Sequence, residues 1–228
     1  MLISVEKRFL FVANTKTAST SIEQVLRPYA EIRRGGHPER KHTPLARALE
    51  IYDFMFADPA HDPASYFKFG VMRDPIDWIT SWFRYRKGND VEAPLPADMD
   101  FADFWARADW NIKRADGSPH LQRDMFCGDD GADGGADDDT VLADVIIPYD
   151  RVGDMFAEIC TLLGIEHPLQ RRNVSRLDDA GAIPKALRAE MRDFYARDYA
   201  LFERLEQINA AGMARLAARA AAPVSATG

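Results

Sequence analysis

The chain has 228 residues, of which 46% are hydrophobic and 29% are charged, and its formal net charge is −7. This length is enough to bury one sizeable core, and a single α/β domain over residues 1–220 is expected. A net negative chain repels polyanions at long range, which argues against nucleic acid as a main partner. No apolar run approaches the roughly 20 residues that span a bilayer, so no membrane span is expected.

Two further features bear on the cellular compartment. The N-terminal apolar segment is short and is interrupted by Glu6, which is not the pattern of a signal peptide. The two cysteines, Cys127 and Cys160, make no disulfide framework, and each is expected to be a small buried residue in a reducing compartment. These features predict a cytoplasmic protein, and richness in alanine, arginine and aspartate favours a bacterial source.

Strands and helices alternate along the chain. The predicted strands are Phe9–Ala13, Tyr66–Met72 and Asp144–Pro148. The predicted helices are Ser19–Tyr29, Leu45–Phe56, a helix that opens at Pro75, Phe101–Ala108, Leu121–Phe126, Val152–Leu163, Pro184–Tyr195 and Tyr199–Ala220. This alternation is typical of an α/β fold with a central, mostly parallel sheet flanked by helices. Ligands bind such sheets at the carboxyl ends of strands, where the loops after Ala13 and Met72 lie.

The loop after Ala13 carries one lysine and a run of small residues. Lys16 is followed by Thr17, Ala18, Ser19, Thr20 and Ser21. Backbone N–H groups at such a strand-to-helix loop can cradle an anion, Lys16 adds a positive charge, and the hydroxyls add short donors. The two glycines of the Walker A motif are missing, which disfavours an ATP loop. The alternative is a plain helix cap by Ser19 or Thr20 with a solvated lysine.

The loop after Met72 carries a second candidate anion contact. Arg73 follows the strand directly and can bind a phosphate through two parallel hydrogen bonds. Ser81 lies about two helical turns further on, and Trp78, Ser81, Trp82 and Tyr85 are expected to share one helix face.

These two loops resemble motifs of PAPS-dependent sulfotransferases, where PAPS is 3′-phosphoadenosine 5′-phosphosulfate. The segment Lys16–Ser21, "KTASTS", resembles their 5′-phosphosulfate loop, and "RDP" from Arg73 with Ser81 resembles their 3′-phosphate motif. The similarity is closest to the carbohydrate-type branch, which includes the uronyl 2-O-sulfotransferases. It extends more weakly through "KHTP", "HLQRDMF", "VIIPYDRVGDMFAEICTLLGI" and "RRNVS", over residues 8–205.

The resemblance implies a P-loop-like three-layer sandwich, PAPS as the donor, no required metal, and a hydroxyl acceptor, expected on a carbohydrate or glycoconjugate. It implies that Lys16 meets the bridging oxygen of the donor and that His42 is the general base, with His120 and Glu50 as alternates. The implied cofactor contacts are Lys16, Thr17, Ala18, Ser19, Thr20, Ser21, Arg73, Ser81, Arg171, Arg172, Asn173 and Ser175. Gln122 is interpreted either as a ligand contact or as a surface residue. Trp78 departs from the family, because many relatives carry a basic residue there.

Two other functions stay open. A P-loop-type kinase is the alternative enzyme, since Asp74 after a strand resembles a Walker B aspartate. The other alternative is a non-catalytic nucleotide-binding module of the same fold. The acidic run at residues 128–140 is expected to be a flexible loop rather than a calcium site, because Thr140 stands where a calcium loop needs glutamate. Residues 221–228 are expected to be a disordered tail.

Overall fold

The computed structural model describes residues 1–88, 91, 93–128, 140–166 and 183–222. Four of the expected cofactor contacts therefore lie outside the described residues: Arg171, Arg172, Asn173 and Ser175. Most of the acidic run, at 129–139, and most of the C-terminal tail, at 223–228, lie outside them as well.

The described residues form a five-stranded sheet in the order β3-β1-β2-β4-β5. The strands are β1 (Leu2–Ser4), β2 (Phe9–Val12), β3 (Ile32–Arg33), β4 (Phe67–Met72) and β5 (Val145–Pro148). Strand β2 is parallel to β4 and β4 is parallel to β5, whereas β1 is antiparallel to both β2 and β3. The α/β class is confirmed, but the sheet is mixed rather than mostly parallel. Strands β1 and β3 have three and two residues, too short to show a period-2 pattern in the sequence.

Helices cover most of the remaining described chain. They are α1 (Ser19–Leu26), α2 (Pro38–Lys41), α3 (Leu45–Ile51), α4 (Asp53–Phe56), α5 (Pro75–Gly88), α6 (Phe101–Arg107), α7 (Val152–Leu163), α8 (Lys185–Phe194), α9 (Ala196–Phe202) and α10 (Leu205–Ala221). The predicted helix Leu45–Phe56 is divided into α3 and α4, and the one at Leu121–Phe126 is only a 3-10 turn, Arg123–Met125. The predicted helix Tyr199–Ala220 is interrupted between α9 and α10.

The sheet is buried on both faces. Phe9 and Phe11 of β2 belong to one hydrophobic cluster with residues of α1, α7 and α10. Leu10 and Val12, which point the opposite way because side chains alternate along a strand, belong to a second cluster with residues of α3, α9 and α10. A third cluster joins α5, α6 and α8. Cys127 and Cys160 are buried thiols, as predicted.

Helix α10 packs directly against strand β5. A Cβ atom at Gly212 would lie 1.9 Å from the Asp144 carbonyl oxygen, so only glycine permits this approach. One turn earlier, the Asn209 side chain accepts from the Ile146 N–H at 2.8 Å and donates to the Ile146 carbonyl at 2.9 Å. Asn209 therefore satisfies backbone groups at the sheet edge.

Helix α5 begins with a cap that fixes the loop after β4. The Asp74 carboxylate accepts from the N–H groups of Ile76 at 2.9 Å and Asp77 at 3.1 Å, and Pro75 occupies the first turn, where its missing N–H costs nothing. Among the described residues, no helix combines the length and apolar composition that a membrane crossing needs.

Candidate active site

The loop from Asn14 to Ala18 has an unusual backbone. Lys16 and Ala18 have φ angles of 57° and 58°, in the left-handed region that favours glycine. The fully buried Thr17 holds this turn, because its hydroxyl donates to the Asn14 carbonyl at 3.0 Å. Ala18 occupies the N-cap position of α1 without any side-chain cap, so the alternative of a plain cap by Ser19 or Thr20 does not hold.

This backbone leaves a row of N–H groups open. The N–H of the fully buried Thr17 closes the hydrogen-bonded turn at Thr15 and Lys16. In the part of the chain that the structure describes, no acceptor receives a hydrogen bond from the N–H groups of Lys16, Ala18, Ser19 or Thr20. They lie at the N-terminus of the eight-residue helix α1, where the helix dipole also favours negative charge. Unpaired backbone donors next to a helix start form a cradle for an anion.

The Lys16 side chain lies against aromatic rings of α5. Its Nζ is 3.6 Å from the centroid of the Tyr85 ring and 5.8 Å from that of Trp82. Burial, which is the larger cause, and the positive charge of Arg73 together lower the pKa of Lys16 to about 8. No carboxylate of a described residue lies within 4.0 Å of Lys16 Nζ. The lysine is half-buried, which disagrees with the solvated side chain of the alternative interpretation.

The α5 face expected from the sequence is the one that meets the loop. Trp78, Trp82 and Tyr85 all point toward the Lys16 loop, and Trp78 donates its indole N–H to the Thr15 carbonyl at 2.9 Å. Trp78 is 1% exposed. The tryptophan therefore packs in the core, as its type suggests, and also holds the Lys16 loop in place.

Arg73 is the second half-buried cation of the site. Its guanidinium carbon is 4.3 Å from the centroid of the Tyr149 ring, and burial lowers the pKa of Arg73. Its Nε is buried and has no hydrogen-bond partner among the described residues. Burying a charged donor without a partner is costly unless a ligand supplies the acceptor.

Ser81 and Arg84 extend this part of the site along α5. Ser81 is half-buried and lies one helical turn from Arg84, whose Nη2 is also buried without a partner in the described chain. Asp77 precedes them on the same face, and its pKa is raised by burial and by Asp74. Sequence reasoning missed Arg84, although its i,i+3 spacing from Ser81 is a usable signal.

A buried polar network holds the two loops together. The Gln122 Oε1 accepts from Asn14 Nδ2 and from the Arg73 N–H, both at 3.1 Å, and its Nε2 donates to the Arg73 carbonyl at 2.8 Å. The fully buried Asp198 carboxylate accepts from the N–H groups of Gln122 at 3.1 Å and Arg123 at 2.8 Å. Burial raises the pKa of Asp198 to about 7. Gln122 is neither at the surface nor open to a ligand; it joins the ends of β2 and β4.

Replacing Gln122 with alanine is expected to lower the free energy of unfolding by at least about 2 kcal/mol. The variant leaves the N–H and carbonyl of Arg73 without their partner, and each unpaired group costs about 1–3 kcal/mol. Urea denaturation measures the loss. Gln207→Ala, at an exposed position of α10, is the control and is expected to stay within about 0.5 kcal/mol of the parent. A Gln122→Ala variant as stable as this control would show that the network contributes nothing.

The two candidate histidines approach the same end of β2. His42 Nδ1 donates to the Ala13 carbonyl at 2.6 Å, because a carbonyl only accepts, and this tautomer leaves Nε2 with a free lone pair. Burial lowers the pKa of His42. His120 packs edge-on against Trp78, with ring centroids 5.4 Å apart, and burial is also the main cause that lowers its pKa. The charge of His42 contributes to the shift of His120, so the two imidazoles are electrostatic neighbours.

The other expected site residues have plainer surroundings. Glu50 is exposed and pairs with Arg47 at 2.6 Å, which occupies the carboxylate of this alternate base. Thr20 accepts a hydrogen bond from Lys41 Nζ at 3.0 Å, while Ser19 is buried and Ser21 half-buried. Within the described ranges, no group of three or more His, Cys, Asp or Glu side chains is arranged to hold a metal ion.

Comparisons of the chain with family models, with curated proteins and with solved structures give no match.

Proposed function

We propose that the protein is a PAPS-dependent sulfotransferase with a P-loop-like three-layer fold, and that it transfers a sulfuryl group to an acceptor hydroxyl on a carbohydrate or glycoconjugate. The observation that carries the proposal is the set of open N–H groups of Lys16, Ala18, Ser19 and Thr20, flanked by the desolvated cations Lys16 and Arg73. An anion with negative charge at two separate points can bind the N–H groups of the loop after β2 and the Arg73 side chain after β4 at the same time. Adenosine 3′,5′-bisphosphate, the product left by PAPS, is such an anion.

The residues of the site fit the donor part by part. The open N–H groups would hold the 5′-phosphosulfate, and Arg73 with Ser81 would hold the 3′-phosphate, which gives the buried Arg73 Nε an acceptor. The donor supplies the sulfuryl group itself. Because Lys16 lacks a carboxylate partner among the described residues, its charge is available to the oxygen that leaves.

The chemistry requires one proton transfer and one displacement. His42 Nε2 accepts the proton of the acceptor hydroxyl while that oxygen forms its bond to sulfur. The bond between sulfur and the bridging oxygen breaks, and its electron pair stays on the phosphate oxygen, where Lys16 stabilises the charge. The products are a sulfate ester and adenosine 3′,5′-bisphosphate. We expect a chelator to leave the rate unchanged, since the residues present supply each of these roles.

The surroundings of Asp74 favour this proposal over a kinase. A Walker B aspartate directs its carboxylate to the metal region. The Asp74 carboxylate instead caps α5 and lies 3.3 and 3.4 Å from the Tyr199 hydroxyl. Transfer from labelled PAPS to a library of sugar acceptors tests the activity, and binding of the bisphosphate without turnover on any acceptor would favour the non-catalytic module.

Replacing Arg73 with alanine is expected to weaken binding of adenosine 3′,5′-bisphosphate by about 2–4 kcal/mol, as for the loss of a charge-assisted bidentate contact. Isothermal titration calorimetry measures the affinity. Arg107→Ala, at an exposed position of α6, is the matched control and is expected to bind like the parent.

ATP provides the ligand control for Arg73, because it lacks the 3′-phosphate. It should raise the melting temperature of the parent protein less than the bisphosphate does, and Arg73→Ala should bind the two nucleotides with similar, weak affinities. Equal shifts by ATP and the bisphosphate in the parent protein would contradict the assignment of this site to a 3′-phosphate.

A further inference from the structure

A second basic region lies beside α1, away from Arg73. It is a cleft of about 660 Å³, bounded by α1, by β3 with the loop that follows it, and by α2. We refer to it as the α1 cleft. Its lining residues are Leu2, Thr20, Glu23, Gln24, Arg27, Arg33, Arg34, Gly35, Gly36, Arg40 and Lys41.

The α1 cleft is strongly positive in a protein whose formal net charge is −7. Five basic side chains line it, against the single carboxylate of Glu23. Glu23 is already engaged, because it lies 3.1 Å from Lys41 Nζ and 3.4 Å from the Met1 nitrogen. In the described ranges, none of the four arginines of the cleft has a carboxylate within 4.0 Å. The carboxylates of the described residues therefore leave most of the positive charge in the cleft unneutralised.

Two of these arginines are held in place by their inner nitrogen atoms. Arg33 Nε donates to the Ala30 carbonyl at 2.8 Å, and Arg34 Nε donates to the Thr43 hydroxyl at 3.2 Å. Their terminal nitrogens donate to no acceptor within the described chain. A guanidinium that is fixed at Nε still has its two terminal nitrogens available to a ligand. Because the side chain is already ordered, less conformational entropy is lost when the ligand binds.

The glycine pair at the rim adds backbone donors. The N–H groups of Gly35 and Gly36 make no hydrogen bond to any described residue. Gly36 has a φ angle of 87°, a conformation that side-chain-bearing residues rarely adopt. Open N–H groups next to arginine forks are the combination that recognises tetrahedral oxyanions.

We propose that the α1 cleft is a binding site for a sugar-sized molecule that carries a phosphate or sulfate group. The arginine forks and the glycine N–H groups bind the oxyanion, and the remaining volume accommodates the rest of the molecule. A volume of this order is typical of small-molecule sites and far exceeds that of a free phosphate ion. The site differs from the proposed donor site in every cation that lines it, and the inference does not depend on the proposed activity.

Titration followed by ¹H–¹⁵N NMR tests the proposal, because the Gly35 and Gly36 amides report on the α1 cleft and those of Ser19 and Ala18 report on the donor loop. The probes are glucose 6-phosphate, inorganic phosphate and sodium chloride at matched ionic strength. We expect saturable shifts at Gly35 and Gly36, at lower concentrations of glucose 6-phosphate than of inorganic phosphate. The double variant Arg33→Gln/Arg40→Gln should bind the ester at least tenfold more weakly.

An equally large change of surface charge elsewhere is the matched control. Arg47→Gln/Arg107→Gln replaces two exposed arginines outside the cleft and is expected to bind like the parent. Shifts of the same size with chloride, or an Arg33→Gln/Arg40→Gln variant that binds like this control, would overturn the site. Equal affinities for the ester and for inorganic phosphate would overturn the sugar-sized ligand. No arm uses PAPS or transfer activity, so a failure here is distinct from a failure of the proposed function.

Discussion

Replacing Lys16 with alanine is expected to lower kcat by about 10²–10³, with a much smaller loss of affinity for adenosine 3′,5′-bisphosphate. The lysine lies 3.6 Å from the Tyr85 ring centroid and is half-buried, so its charge acts where water screens it less. Negative charge grows on the bridging oxygen only as the bond to sulfur breaks. An interaction that strengthens in the transition state changes the rate more than the ground-state affinity.

The pH dependence separates the charge of Lys16 from its shape. The protonated form is the active one, and its pKa is about 8, so kcat/KM should fall as the pH rises through about 8. Lys16→Arg keeps a permanent charge, and whatever activity it retains should lack this alkaline limb. Lys87→Ala, at an exposed lysine of α5, is the control. An unchanged kcat with only weaker nucleotide binding in Lys16→Ala would place the lysine in ground-state binding.

The parts of the site that were predictable from the sequence are those with a local pattern. An apolar run followed by small residues marks β2, the loop and α1, and the i, i+3, i+4, i+7 spacing of Trp78, Ser81, Trp82 and Tyr85 marks the face of α5 that meets Lys16. Both patterns arise because apolar side chains tend to be buried, so the spacing of apolar residue types in the sequence indicates which face packs inward.

The link between the loops has no local pattern. Gln122 bonds to Asn14 across 108 residues and to Asp198 across 76. Single polar residues at such distances look like surface residues in a sequence, because their burial depends on partners from other elements. The left-handed backbone of Ala18 is hidden for a related reason: its residue type is not the one that this conformation favours, so the surrounding structure imposes it.

The α1 cleft shows how composition can mislead about a local surface. A net charge of −7 argues against a polyanionic partner, yet five basic side chains converge between α1 and α2. Arg27 comes from a helix end, Arg33 from a strand of two residues, and Arg40 from a helix of four residues. Their convergence follows from the antiparallel addition of β3 to β1, which the sequence does not reveal.

Replacing His42 with alanine is expected to lower kcat by about 10²–10⁴ while binding of adenosine 3′,5′-bisphosphate is preserved. The Nδ1 bond to Ala13 holds the imidazole at the end of β2 and leaves Nε2 free to accept a proton. Since burial lowers the pKa of His42, the neutral form that acts as a base persists to pH values below its usual pKa of about 6.5. The acid limb of kcat/KM should therefore lie below pH 6.5, with the rate rising as the pH increases through it.

Three variants distinguish the base from a structural histidine. His42→Gln can keep a hydrogen bond to Ala13, but its amide cannot accept a proton in place of the imidazole Nε2. This variant should therefore be as slow as His42→Ala, and its pH profile should lack the acid limb. His37→Ala, at an exposed histidine of the same segment, should keep parental activity. His120→Ala tests the neighbouring imidazole, and the melting temperature of each variant separates a loss of chemistry from a loss of fold. If His42→Ala retained most of its activity and a folded His120→Ala lost it, the base would be His120, and His42 would only line the acceptor site.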